Sequence, residues 1–426
     1  KTNNLIYLDF DKTYLENYQI GQEASYFFVR RVAFPFKIKD DRNFKNPMPY
    51  VKNKKNLEAD LKNILRFVFG KASFREIQYE SIIKTLRGES SLVLLPTGSG
   101  KSLIYQLCSL ILPGQVIVVS PTIALINNQH SNLNLMGIDK VASITMEINN
   151  AKEREIVLSS ISDGSTNLIF CSPERLLTPQ FEEHLKQSLN NQFLSLAVID
   201  EAHCISEWGQ EFRTSYLGIG ERLKRLSTGD KSNRRLATLA LTGTASITVR
   251  DDILNEANLD YTDELRASEF NRDELDFEIF KNSEDRNKES VLKSFLEKKL
   301  PELTGAENLS AFFKHQEEGL KNNLVIIFVP TKSKKTTDLY KSLSNFLNNQ
   351  GINKNILGLM WGGGQYGKGW IEGLGDSEEY KKQIPKQFES GEKKIIIATK
   401  AFGMGIDFPN VRCVIHYGIS SSIEAW

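Results

Sequence analysis

The chain has 426 residues, enough for two or three domains at about 100–200 residues each. Hydrophobic residues make up 40% and charged residues 25%, the balance of a globular protein rather than a disordered or fibrous one. Lys and Arg number 54 against 53 Asp and Glu, a net charge of +1, which excludes a strongly basic coat without excluding a polyanionic partner.

The longest apolar runs, such as Leu324–Val329, fall far short of the ~20 residues that span a bilayer. No charged-then-apolar leader opens the chain. An intracellular protein without membrane contact is expected, cytoplasmic or nucleoid-associated in a bacterium and nuclear in a eukaryote. Cys108, Cys171, Cys204 and Cys413 are scattered with no C-x-x-C pair, which argues against a zinc site or a disulfide framework and predicts buried thiols.

Residues 1–57 form an N-terminal accessory segment. Within it Asp9, Asp11 and Thr13 fit the D-x-D-x-T signature of haloacid-dehalogenase-type phosphatases, whose first Asp is a nucleophile. A segment of about 50 residues is too short for that fold, and an edge strand is the expectation. Ser25–Lys55 holds nine Lys/Arg against two Asp, a local charge of +7, interleaved with Tyr26, Phe27, Phe28, Phe34, Phe36, Phe44 and Tyr50. That pattern reads equally as a nucleic-acid or protein-partner face and as a plain solvated surface.

Short apolar runs then alternate with amphipathic stretches. The predicted strands are Leu92–Leu95, Val116–Ser120, Leu168–Cys171, Leu196–Ile199 and Leu239–Thr242, then Leu324–Val329, Ile395–Ala398 and Cys413–His416. Runs of this length and composition are strands buried on both faces of parallel sheets. The fold class is α/β, with two doubly wound domains in tandem at 58–266 and 267–426. The stretch Asp251–Asn323 is polar and helical in pattern, apart from the extended-looking Phe277–Phe280. Trp361–Gly375 holds seven glycines in fifteen positions, a loop or insertion by composition.

The strand Leu92–Leu95 runs into Pro96-Thr97-Gly98-Ser99-Gly100-Lys101-Ser102, and an apolar helix pattern follows. Glycines let backbone N–H groups approach phosphate, the helix N-terminus favours anions, Lys101 reaches the β/γ-phosphates and Ser102 ligates Mg²⁺. The strand Leu196–Ile199 delivers Asp200 and Glu201, followed by Ala202 and His203. One carboxylate, Asp200, holds Mg²⁺, and the other manages the attacking water. The two motifs together predict an NTPase that uses Mg²⁺, and Lys101, Asp200, Glu201 and His203 are its candidate catalytic residues; ATP as the nucleotide is what the family resemblance below implies.

From Leu65 to Trp426 the motifs resemble the RecQ branch of the superfamily 2 helicases. Phe69-Gly70, Phe74-Arg75 and Gln78 are similar to the family's nucleotide-base motif, which implies that Gln78, aided by Arg75, reads adenine; an amide offers the paired donor and acceptor this needs. Asp200-Glu201-Ala202-His203 with Trp208, Phe212 and Arg213 resembles motif II and the aromatic-rich loop, implying that these three contact single-stranded DNA by stacking and charge. Ser120-Pro121-Thr122 and Ser172-Pro173-Glu174-Arg175 look like motifs that grip the DNA backbone, and Leu241–Ser246 looks like motif III. In the second domain Thr399, Gly403, Gly405 and Asp407 match motif V, implying backbone contact by Thr399 and nucleotide contact by Gly405 and Asp407.

The family's His-Ala-Gly-type motif is replaced by Met360-Trp361-Gly362, and Trp426 comes just before the family's arginine-finger motif. The ending, mid-element, leads one to expect a longer natural protein. The resemblance implies two RecA-like domains and an ATP-dependent DNA helicase or translocase moving 3′ to 5′ on single-stranded DNA and separating duplex DNA. An RNA helicase, and an ATPase switch or sensor subunit in a repair or genome-defence assembly that docks proteins through the N-terminal segment, are the alternatives.

Overall fold

The computed structural model describes residues 57–96, 98–112, 114–145, 150–191, 194–206, 214–228, 236–243, 245–268, 275–280, 288–314, 323–330, 334–360, 378–399, 408 and 410–418. The chain divides into two compact units, Lys1–Asn271 and Arg272–Trp426.

The first unit carries seven strands: β1 (Ser91–Leu94), β2 (Gln115–Val119), β3 (Val141–Ile144), β4 (Leu168–Cys171), β5 (Leu194–Ile199), β6 (Ala237–Thr242) and β7 (Glu264–Arg266). They form one sheet in the order β3-β4-β2-β5-β6-β1-β7, and every pairing is parallel. Along β2, Val116 and Val118 pack into one apolar layer while Ile117 and Val119 enter the other. Both faces are therefore covered, which is why the central strands read as unbroken apolar runs.

One layer is built by α1 (Leu57–Phe69), α2 (Gln78–Leu86) and α3 (Lys101–Ile111) with Leu65, Ile82, Tyr105 and Phe170 at its centre. The opposite layer includes α5 (Ala151–Ser162), α7 (Pro179–Asn191), α8 (Ile219–Thr228) and α9 (Ile247–Glu256), with Leu158, Phe181, Tyr216 and Ile253 buried. Between these layers in sequence, α4 (Ile123–Leu135) follows β2 and the single turn α6 (Pro173–Leu176) follows β4. Side-chain caps set four of these starts: Thr122, Asn150, Ser172 and Ser246 accept from the backbone N–H groups of Leu125, Lys152, Arg175 and Val249, as N-caps do.

The second unit has β8 (Leu324–Phe328), β9 (Leu357–Met360), β10 (Ile395–Ala398) and β11 (Val411–His416), ordered β11-β8-β10-β9 and wholly parallel. Phe312, Leu343, Leu347, Ile327 and Ile397 fill one side of this sheet, and Ile326, Ile384, Phe388 and Ile396 the other. The α/β reading with two parallel-sheet domains thus agrees with the structure.

Three strands had no apolar run to announce them. β3 is half-buried at the sheet edge, β7 has three residues, and Gly358 interrupts β9. The first unit continues past residue 266, because Ala267 N–H donates to Leu94 at 3.1 Å and Ser268 N–H to the Glu76 carboxylate at 2.9 Å. Phe277, Ile279 and Phe280 are exposed and form no strand, although Phe280 meets the Phe295 ring at 5.6 Å. Among the described residues, no helix is long and apolar enough to cross a membrane. The expectations for residues 1–56 and for the Gly-rich stretch 361–375 lie outside the described residues.

Candidate active site

β1 sits between β6 and β7, and β5 lies on the far side of β6. The loop after β1 and the carboxylates after β5 therefore emerge at the same carboxyl edge of the sheet, with the end of β6 between them. Ligands of doubly wound sheets bind at this edge.

In the loop, Gly98 and Gly100 take φ of 77° and 83°, values open to glycine without steric cost. Lys101 and Ser102 open α3 directly after Gly100, and Lys101 is 9% exposed. Its Nζ lies 3.9 Å from Glu201 Oε1. Among the described residues the buried Ser99 hydroxyl has no hydrogen-bond partner, and an anion seated in the loop would satisfy it. Thr97 lies outside the described residues.

Gln78 and Arg75 bind this loop. The Gln78 amide Nε2 donates to the Ser99 carbonyl at 2.7 Å and the Gly100 carbonyl at 3.2 Å, while its Oε1 accepts Arg75 N–H at 2.8 Å. The Arg75 guanidinium donates to the Gly98 carbonyl. Gln78 is 2% exposed, and its donors and its acceptor all have partners within the chain. The residue before it, Ile77, stands at φ 52°, an uncommon conformation for a β-branched side chain.

Asp200 N–H donates to the Val119 carbonyl at 2.9 Å, extending the ladder one residue past β5. Its carboxyl is 5% exposed, and burial followed by the Glu201 charge raises its pKa to about 7. Glu201 sits at φ 48°. Burial opposes its ionisation, but the bond to His203 and the charge of Lys101 win and lower its pKa. His203 Nδ1 lies 3.3 Å from Glu201 Oε2 and 3.0 Å from Thr242 Oγ1 at the end of β6. Burial opposes its protonation too, yet bonding to Cys204 and Glu201 raises its pKa to about 10. Lys101, Glu201, His203 and Thr242 thus form one chain of contacts from the loop to β6.

Among the described residues no cluster of three or more His, Cys, Asp or Glu could hold a metal ion. A hydroxyl from Ser102 and a carboxylate from Asp200 still suit Mg²⁺, which takes one or two protein oxygens and completes its shell with phosphate and water. The donor set fits that ion.

Residues 75–253 match the DEAD/DEAH box helicase family and residues 307–425 the helicase conserved C-terminal domain. The chain is 32% identical over 365 residues to the ATP-dependent DNA helicase RecQ of Pasteurella multocida, covering 85% of this chain and 48% of that one. It is 30% identical over 369 residues to the ATP-dependent DNA helicase Q-like 5 of Arabidopsis thaliana, covering 87% and 35%. The chain belongs to the RecQ-like superfamily 2 helicases. It spans between a third and a half of the length of these relatives. The crystal structure of the DUF1998 helicase MrfA bound to DNA and AMPPNP superposes with a TM-score of 0.60 at 16% identity, covering 89% of this chain and 48% of that one. The two parallel-sheet units are RecA-like helicase domains.

In this RecQ-like core, Ser120, Pro121, Pro173 and Arg175 converge on the carboxyl ends of the neighbouring strands β2 and β4. Ser120 is 1% exposed, and among the described residues its hydroxyl has no partner. Arg175 is also buried, and its Nη2 donates to the Thr145 carbonyl at 3.3 Å. The resemblance assigns Arg175 to the DNA backbone; in the structure the short turn α6 directs its guanidinium to the carbonyl just after β3. Thr399, in the second unit, donates its N–H to the Met360 carbonyl at 3.2 Å and is half-buried. Trp208, Phe212, Arg213, Gly405 and Asp407 lie outside the described residues. Thr145 was not singled out, and Thr242 stood only within the motif III match; their partners lie 30 and 39 positions away in sequence, and no local spacing signals such contacts.

Proposed function

We propose that this chain is the ATP-driven core of a DNA helicase, hydrolysing ATP and coupling turnover to 3′-to-5′ movement on single-stranded DNA and to duplex separation. The observation that carries the reading is the approach of Lys101 to Glu201 at 3.9 Å beside the buried Asp200, a cation and two carboxylates where a Gly-rich loop opens a helix. Lys101, which lies 3.9 Å from Glu201, reaches the β/γ-phosphates of ATP. The loop N–H groups and the Ser99 hydroxyl receive the phosphate oxygens. Gln78 and Arg75 hold the loop in shape from the adenine side. Glu201 then accepts a proton from, or orients, the attacking water, and His203 passes the change to Thr242 and β6.

Ser102 and Asp200 would hold Mg²⁺, which would offset the charge that develops during phosphoryl transfer. The motif resemblance supports Ser120, Pro121, Pro173 and Arg175 of the first unit, and separately Thr399 of the second, as nucleic-acid contacts, with Trp208, Phe212 and Arg213 sensing the strand. DNA is favoured as the polymer because relatives such as the RecQ and Q-like 5 proteins are named DNA helicases, while one from Acanthamoeba polyphaga mimivirus is named a putative ATP-dependent RNA helicase.

ATP turnover by the chain with single-stranded DNA, single-stranded RNA or neither tests this reading. DNA-stimulated turnover that disappears in Lys101→Ala is expected. Equal stimulation by RNA would favour an RNA helicase, and turnover without strand displacement on the natural full-length protein would favour a switch.

A further inference from the structure

Tyr105 is wholly buried on α3, and among the described residues its hydroxyl has no hydrogen-bond partner. Buried polar atoms without partners are rare and are retained where something else uses them. A phenylalanine would fill the same apolar space without stranding an O–H group.

The position of Tyr105 indicates what uses it. It stands one helical turn behind Lys101 and Ser102, on the face of α3 that carries both, as the i, i+3 and i, i+4 relationships require. Its ring packs edge-on against Phe170 at 6.2 Å and shares an apolar layer with Val118 and Val198. Val198 lies two residues before Asp200, so the alternation along β5 brings the Asp200 carboxyl to this same layer. Asp200 Oδ1 accepts Glu201 N–H at 3.1 Å. Burial first, and then the charges of Asp200 and Glu201, hold the phenol firmly in its protonated form, so it acts only as an O–H group.

We propose that Tyr105 is a positioning residue for the Asp200 carboxylate, its hydroxyl being the donor that fixes the orientation of that carboxylate once Mg²⁺ and nucleotide enter. The inference rests on the nucleotide-site reading given above. Outer-shell donors of this kind orient a metal-binding carboxylate from behind. The Tyr105 hydroxyl would donate to Asp200 in place of the Glu201 N–H that Oδ1 now accepts.

The test is Tyr105→Phe in the full chain, with binding of a non-hydrolysable ATP analogue followed by fluorescence in EDTA and across a Mg²⁺ titration. Tyr105→Phe is expected to melt at or above the wild-type temperature, to bind the analogue in EDTA as the wild type does, and to need about 10-fold more Mg²⁺ for half-saturation. An unchanged Mg²⁺ requirement would overturn the proposal and leave Tyr105 as packing alone. Failure of the wild type to bind the analogue under any condition would sink the nucleotide-site reading, and that result is distinguishable because it precedes any comparison with the variant. A Tyr105→Phe chain with weaker binding already in EDTA would also overturn the proposal, since the hydroxyl would then act on the loop and not on Asp200.

Discussion

The Gln78 side-chain amide donates to the Ser99 carbonyl at 2.7 Å, so the residue expected to read adenine also holds the phosphate loop. One amide ties the start of α2 to the loop before α3. Gln78→Ala therefore removes bonds within the protein as well as any bond to a base. About 1 kcal/mol of stability should go with the lost bonds, and ATP should bind about 10-fold more weakly. Parallel thermal melts and nucleotide titrations check both effects, and unchanged ATP affinity would disconnect Gln78 from the site.

Gly100 meets the same amide from the other side. A Cβ there would lie 2.8 Å from Gln78 Nε2, at a φ of +83°. Gly100→Ala should cost about 1–2 kcal/mol in backbone strain alone and push Gln78 off the loop. Nucleotide binding is expected to collapse while the far-ultraviolet circular dichroism stays native.

Thr242 links the carboxylate motif to β6 through its 3.0 Å contact with His203 Nδ1. Thr242→Val keeps the shape and deletes the hydroxyl. Turnover stimulated by single-stranded DNA should fall about 10-fold, the worth of one bond to a charged group, with nucleotide affinity unchanged. A fall in affinity equal to the fall in turnover would place Thr242 in binding instead of coupling.

Asp200 titrates near pH 7 in the fold against an ordinary value of 3.8, chiefly because it is buried. A carboxyl with a raised folded-state pKa contributes its full stability below about pH 4, and that contribution is lost as pH climbs through about 7. Asp200→Asn abolishes this titration. Without metal or nucleotide, the variant should melt above the wild type at pH 8, and the gap should close as pH falls toward 4. A gap that is constant with pH would remove Asp200 as its source.

Gly220 is a packing point remote from the loop. A Cβ there would fall 1.6 Å from the Glu256 carbonyl oxygen, where α8 crosses the end of α9. Gly220→Ala should destabilise the fold by about 3 kcal/mol through overpacking, read in a denaturant melt. Destabilisation under about 0.5 kcal/mol would mean that the helices part at little cost.

Features whose physical cause is local in sequence were open to reading from it. β2 and β4 announce themselves because both faces of each are buried, and every residue of Val116–Val119 is therefore apolar. The loop from Pro96 to Ser102 is legible because its chemistry needs glycines, a cation and a hydroxyl at consecutive positions. Asp200 and Glu201 are legible for the same reason, standing directly after a buried strand. β3 and β7 were not, since edge strands with one wet face carry no continuous apolar signal.

The sequence by itself determined the α/β class, the RecQ-like family and the identity of the loop and carboxylate motifs, because these depend on contiguous composition and spacing. The tertiary structure decided which motif touches which. The strand order places β6 between β1 and β5, and so puts Thr242, rather than some other hydroxyl, against His203. It also turned Gln78 onto the loop and Arg175 into the interior. Such contacts join residues 21 to 39 positions apart, and their partners are selected by which strand ends lie side by side, an outcome of sheet pairing that no local pattern encodes.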